Sequence, residues 1–107
     1  MDALLKLNPD DFEARAGQAA SLLRTMGNPH RLMILCRLGS GEMPVSELGK
    51  AFSLSQSALS QHLAVLRREG LVEARREGQT MHYRIGDPAV LAIIETLAAI
   101  YCPEMLS

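Results

Sequence analysis

A chain of 107 residues is long enough to bury one core and too short to add a separate enzymatic domain. Hydrophobic residues make up 48% and charged ones 21%, which argues against a disordered tail or a membrane protein, and with no Trp and 4% aromatics the interior has to be aliphatic. The formal net charge of -1 excludes a uniformly basic nucleic-acid coat, yet residues 55–85 carry Arg67, Arg68, Arg75, Arg76 and Arg84 against Glu69, Glu73 and Glu77. A local positive face is what phosphate binding needs, so overall neutrality leaves DNA open as a partner.

The N-terminal segment MDALLKLNPDDFEA lacks the basic start and apolar run of a secretory signal, and no segment approaches the ~20 apolar residues of a membrane span. A cytoplasmic protein without membrane contact is expected. Residues 10–26 then set Phe12, Ala16, Ala19, Ala20 and Leu23 at helical spacing, with Pro9, Asp10 and Asp11 suited to a helix start. Gly27 ends this first helix. Asn28 and Pro29 supply an N-cap and a first-turn proline for the second, HRLMILCRL, which stops at Gly39, Ser40 and Gly41.

Residues 43–54 read as a third short helix, with Pro44 early and Val45, Leu48, Ala51 and Phe52 inward. A turn at residues 53–55 leads into a fourth, capped by Ser55, running to Glu69 and stopped by Gly70. Two short helices joined tightly, the second opening on small polar residues, form a helix-turn-helix pattern. After Gly70 the period becomes two: Leu71, Val72, Ala74 and then Met81, Tyr83, Ile85 flank the turn at residues 76–79, which predicts a two-stranded hairpin, or wing. Asp87 and Pro88 cap a last helix, AVLAIIETLAAIYC, whose clearly polar positions are Glu95 and Thr96. A helix apolar on nearly every side has to be buried on nearly every side. Packing against its own copy in a homodimer, with the first helix alongside, meets that need. The expected architecture is mainly α with a small β-hairpin: a winged helix-turn-helix of five helices and a two-stranded wing. It forms one domain over residues 1–107 and dimerises through helices at 10–26 and 88–102.

On the fourth helix, Gln56, Ser57, Ser60, Gln61, Ala64, Arg67 and Arg68 fall within an arc of about 140° at ~100° per residue, opposite Leu59, Leu63 and Leu66. Gln56, Ser57, Ser60 and Gln61 at the front can enter a major groove and hydrogen-bond base edges, worth about 1 to 3 kcal/mol of discrimination per good contact. Arg67 and Arg68, farther back, suit phosphates. In an isolated helix such a face would simply be solvated; the preceding helix, the Ser-rich turn and the basic hairpin that follows favour DNA. His62 falls toward the core side, as a partly buried histidine or an edge contact to phosphate. In the wing, Arg75, Arg76, Gln79 and Thr80 are expected at the hairpin tip, within reach of phosphates or a narrow minor groove. The same charges can also protect a strand edge from pairing.

The blocks NPHRLMILCRL, VSELGKAF and LSQSALSQHLAVLRREGLVEARREGQTMHYRI, in this order and at these distances, resemble the ArsR-type winged-helix repressors of bacteria across about residues 10 to 105. The resemblance implies a homodimer that binds double-stranded operator DNA and changes affinity on meeting an inducer. Metal-sensing members carry a Cys-x-Cys pattern in the segment that here reads Ser46-Glu47-Leu48-Gly49, and histidines on the last helix, where this chain has none. His30, His62 and His82 lie on different elements without ligand spacing, so neither metal nor cofactor is expected.

Cys36 and Cys102 are the two cysteines. A permanent disulfide is not expected in a reducing cytoplasm, whereas a transient one can report redox state. Taken singly, each sits in an apolar run and reads as a small hydrophobe. The resemblance extends to a subgroup that responds to reactive sulfur species through one cysteine on the second helix and one near the end of the last. By that likeness, persulfide would convert Cys36 and Cys102 to a disulfide or polysulfide bridge and lower operator affinity; other oxidants could feed the same switch. The chemistry needs a thiolate, for which His30, Arg31 and Arg37 are the local positive candidates. Two alternatives remain: an ArsR-type regulator of a metal or another ligand, and a winged-helix interaction module without DNA binding. An enzyme is not expected, as the sequence offers no nucleophile–base pair, carboxylate pair or Gly-rich phosphate loop.

Overall fold

Each helix that the sequence marks with a capping residue begins on that cap in the computed structural model, which describes residues 8–105. The Asn28 side chain accepts from the backbone N–H of His30 at 2.9 Å and of Arg31 at 3.1 Å. Ser55 accepts from Ala58 N–H at 3.0 Å and Asp87 from Ala89 N–H at 2.9 Å. Such a cap typically stabilises a helix by about 1 kcal/mol. The chain order is α1 (Pro9–Met26), α2 (Pro29–Leu38), β1 (Met43–Pro44), α3 (Val45–Lys50), α4 (Gln56–Arg68), β2 (Val72–Glu77), β3 (Thr80–Ile85) and α5 (Pro88–Tyr101), with a 3-10 turn at Pro103–Met105. Gly70, at φ +81°, reverses the chain between α4 and β2, and Gly78, at φ +62°, makes the tight turn of the wing.

Residues 43–54 do not form one helix. Met43 and Pro44 instead pair with Tyr83 and His82 of β3, so the wing belongs to a three-stranded antiparallel sheet of order β1-β3-β2. The reason lies in Pro44. A proline biases the residue before it toward extended backbone, and it lacks the N–H that a central strand would need, which suits it to a sheet edge. The helix therefore starts two residues later, at Val45, and ends at Lys50 rather than Leu54.

The core gathers Ile34, Leu35 and Leu38 from α2, Leu48 from α3, and Leu59, Leu63 and Leu66 from α4. Leu71, Val72, Val90 and Ile94 close it, with Met26 from the end of α1. Helix α4 is thus seated on α2 and β2 along its apolar face, leaving its polar arc outward. The terminal helices are much less covered. Along α1 only Thr25 and Met26 are buried, and on α5 only Val90 and Ile94. Phe12, Leu23, Ile100 and Tyr101 stay exposed, Tyr101 at 76%. No helix among the described residues is long and apolar enough to cross a membrane.

Candidate nucleic-acid interface

Gln56, Ser57, Ser60, Gln61, Arg67 and Arg68 are all exposed on one side of α4, while Leu59, Leu63 and Leu66 anchor the other. The predicted reading edge therefore stands free on a helix held rigidly from behind. Beside it, Ser60, Leu63, Ala64, Arg67 and Arg68 of α4 and Tyr83 of β3 line an open groove of about 490 Å³ between helix and wing.

Strand alternation divides the wing into two faces. Val72, Ala74 and Arg76 of β2 lie opposite Ile85, Tyr83 and Met81 of β3 and share the face that packs toward α4. Arg76 is exposed and, like Arg67, makes no salt bridge among the described residues. Gln79, exposed, sits in the turn itself. The other face carries mainly charged residues. Arg84 donates to Glu73 at 2.6 Å, and Arg75 pairs in register with His82.

Arg75 is not at the hairpin tip. Its Nε and Nη2 reach Glu42 Oε1 at 2.8 and 2.7 Å, and its Nη1 reaches Glu77 Oε2 at 2.9 Å. Hydrogen bonding from Arg75 holds the Glu42 carboxyl below the usual carboxylate range, and the two carboxylates push the Arg75 guanidinium further up. Glu42 went unnoticed in the sequence, where nothing local links it to a strand 33 positions away. Arg68 is close to Glu69, at 3.7 Å, with both side chains well exposed.

His62, half-buried on the flank of α4, lies against His30 of α2, the ring centroids 5.6 Å apart and the planes tilted by 34°. Desolvation, followed by the charges of Arg31 and His30, pushes its imidazole below the ordinary range. Histidines that looked unrelated in sequence are therefore neighbours, although among the described residues no group of three or more His, Cys, Asp or Glu is arranged to hold a metal ion.

Cys36 is exposed on α2 and Cys102 half-buried just beyond α5; both are free thiols on elements that pack together. They lie near enough for charge on Cys102 to raise the Cys36 thiol, an effect added to the larger one of burial. The expected acidification by His30, Arg31 and Arg37 is thus corrected. The Arg31 guanidinium donates to the Thr25 carbonyl at 2.7 Å, and the His30 ring lies against that of His62.

Comparison with known proteins places this geometry. The profile of bacterial regulatory proteins of the arsR family matches residues 28–74, from the Asn28 cap through α4 into β2. The transcriptional activator HlyU of Vibrio cholerae is 48% identical over 96 residues, covering 90% of this chain and 89% of that protein. The structure described as reduced HlyU from Vibrio cholerae superposes with a TM-score of 0.82 at 49% identity, over 86% of this chain and 97% of that one. The transcriptional repressor BigR of Xylella fastidiosa gives 0.81 at 38% identity, over 90% and 98%. The homodimeric winged helix-turn-helix domain of Mb0332 from Mycobacterium bovis, described as a possible ArsR-family regulator, gives 0.76 at 30% identity, over 94% and 93%. With its cap, reading helix and wing all inside the matched architecture, the chain belongs to the ArsR family of bacterial DNA-binding transcriptional regulators.

Proposed function

We propose that this regulator is a homodimeric repressor whose operator affinity falls when Cys36 and Cys102 become bridged by a disulfide or polysulfide on exposure to reactive sulfur species. The observation that carries this reading is that α2, which holds Cys36, packs against α5, just beyond which Cys102 lies, with both thiols free. One of them remains open to solvent. A thiolate at Cys36 takes the outer sulfur of a persulfide donor and releases the donor thiolate. The Cys102 thiolate then attacks the inner sulfur, expels hydrosulfide and closes the disulfide. Two thiolates become one S–S bond, and the two electrons they give up reduce the sulfane sulfur, which leaves as hydrosulfide. A direct bridge needs Cα atoms about 4.4 to 6.8 Å apart, and added sulfurs tolerate a wider gap.

The dimer reading is supported by Phe12, Leu23, Ile100 and Tyr101, large apolar side chains exposed on α1 and α5. Patches of this kind mark association surfaces, and the similar Mb0332 domain is described as homodimeric. Two protomers, each one winged helix-turn-helix domain dimerising through α1 and α5, would present two α4 helices to successive major grooves about 34 Å apart. Gln56, Ser57, Ser60 and Gln61 then read base edges, while Arg67, Arg68, Arg76 and Gln79 hold the backbone. Bridging α2 to the dimerising helix shifts the spacing of the two α4 helices. A coupling of about 1 to 3 kcal/mol would change affinity by roughly 5- to 150-fold.

The test combines intact mass with DNA binding. Treatment with an organic persulfide should release wild-type protein from a selected duplex and produce a disulfide, or a ladder of about 32 Da steps for inserted sulfur. Cys36→Ser and Cys102→Ser should both keep their affinity. Persulfide-driven release of Cys36→Ser would defeat the proposal.

A further inference from the structure

The distal part of the wing, residues 75–80, is exposed. A two-stranded ribbon is only marginally stable alone, and the third strand that steadies it contributes two residues, one of them a proline without an N–H to donate. What crosses the whole sheet is a side-chain chain. Glu42 immediately precedes β1 on one edge, Arg75 lies within β2 on the opposite edge, and β3 runs between them. Their contacts at 2.7 and 2.8 Å therefore span the sheet, and the third Arg75 nitrogen continues to Glu77 beside the turn. His82, on the intervening strand, lies 3.8 Å from the same Glu77 oxygen.

We infer that Glu42 is a positioning residue for DNA binding: with Arg75 and Glu77 it forms a brace that sets the pitch of the wing, so that Arg76, on the opposite face, is presented to the duplex. Glu42 and Arg75 are substantially exposed, at 28% and 48% of their side-chain area. Exposed pairs contribute little to global stability, so an effect on DNA binding can be read apart from folding. At its other end the brace attaches to the turn after α2, whose Gly39 N–H bonds back to the Leu35 and Cys36 carbonyls. The pitch of the wing is thereby tied to the C-terminal end of α2.

The role makes a prediction opposite in sign to simple electrostatics. Removing an acid from a DNA-binding protein ordinarily tightens binding, because a repulsion with phosphate is lost. If Glu42 braces the wing, Glu42→Ala weakens binding instead. If Arg75 were a phosphate contact, Arg75→Ala would reduce the salt slope by about 0.9 per protomer. As part of a brace it acts through Arg76, so in an Arg76→Ala background Arg75→Ala leaves affinity and slope unchanged.

The experiment measures anisotropy titrations over a range of KCl, using a labelled duplex that wild-type protein selects from a random-sequence library. Glu42→Ala and Arg75→Ala are each expected to bind about 5-fold more weakly than wild type but no more weakly once Arg76→Ala is present, and the double substitution no more weakly than either, as coupled neighbours require. Glu42→Arg/Arg75→Glu, which keeps opposite charges at the two positions, should recover most of the loss. Amide exchange of β2 and β3 should quicken in the single variants while the melting temperature holds. Tighter binding by Glu42→Ala, a further loss of slope when Arg75→Ala is added to Arg76→Ala, or additive losses in the double variant would each overturn the assignment.

Discussion

The sharpest division of labour in the wing is between two adjacent arginines, and Arg76→Ala tests it. Arg75 is held by Glu42 and Glu77, whereas Arg76 is exposed, makes no salt bridge among the described residues and shares its strand face with Ala74 and Tyr83 beside α4. If each protomer of a dimer places Arg76 on one phosphate, the substitution removes two such contacts. The slope of log affinity against log salt should then flatten by about 1.8, since each neutralised phosphate in duplex DNA contributes about 0.9. Between 50 and 200 mM KCl the wild type would lose about tenfold more affinity than the variant, from that slope difference. Anisotropy titrations at several KCl concentrations, run on the selected duplex and on a scrambled one, measure both quantities. A backbone contact weakens binding to the two sequences alike. An unchanged slope, or a loss confined to the selected sequence, would refute the reasoning and move Arg76 from phosphate to base readout or out of the interface.

Because burial and the charge of Cys102 both raise the Cys36 thiol, its alkylation by iodoacetamide should accelerate with pH to a midpoint above the ordinary thiol range. Cys102→Ser should bring that midpoint down by removing the second cause; an unmoved midpoint would mean that the thiols do not sense each other. His62 carries a depressed imidazole pKa, so protonating it costs more in the folded chain than in the unfolded one. Stability is therefore full above the ordinary imidazole pKa and declines as pH falls through that value toward the lowered one. Melting curves at pH about 7.5 and about 5.5 should show a larger acid loss for wild type than for His62→Gln, and equal losses would contradict it. Leu66→Ala, at a side chain with no exposed surface under α4, should cost about 2 to 5 kcal/mol in denaturant unfolding. A cost well below 1 kcal/mol would mean that α4 is not held by its apolar face.

What could be read from the chain alone was what neighbours in sequence decide. The caps at Asn28, Ser55 and Asp87, the reversal at Gly70, the wing turn at Gly78 and the split of α4 into polar and apolar arcs depend on interactions within about four residues or on one repeating period. They appear in the structure where the sequence put them. The family blocks rest on the same local order. The errors began where a partner lies far along the chain. Met43 and Pro44 carry too short a pattern to signal a strand, and only the presence of β3 makes them one. Arg75 looks like its neighbour Arg76 in sequence, yet opposite strand faces send one to Glu42 and leave the other open. The placing of the His62 ring against that of His30, and the nearness of Cys102 that raises rather than lowers the Cys36 thiol, likewise follow from how α2 meets α4 and α5. Local backbone preference chose the helices and turns; packing of distant segments around the α2–α4 core decided which charges pair, which elements carry the thiols toward each other and which arginine makes no salt bridge among the described residues.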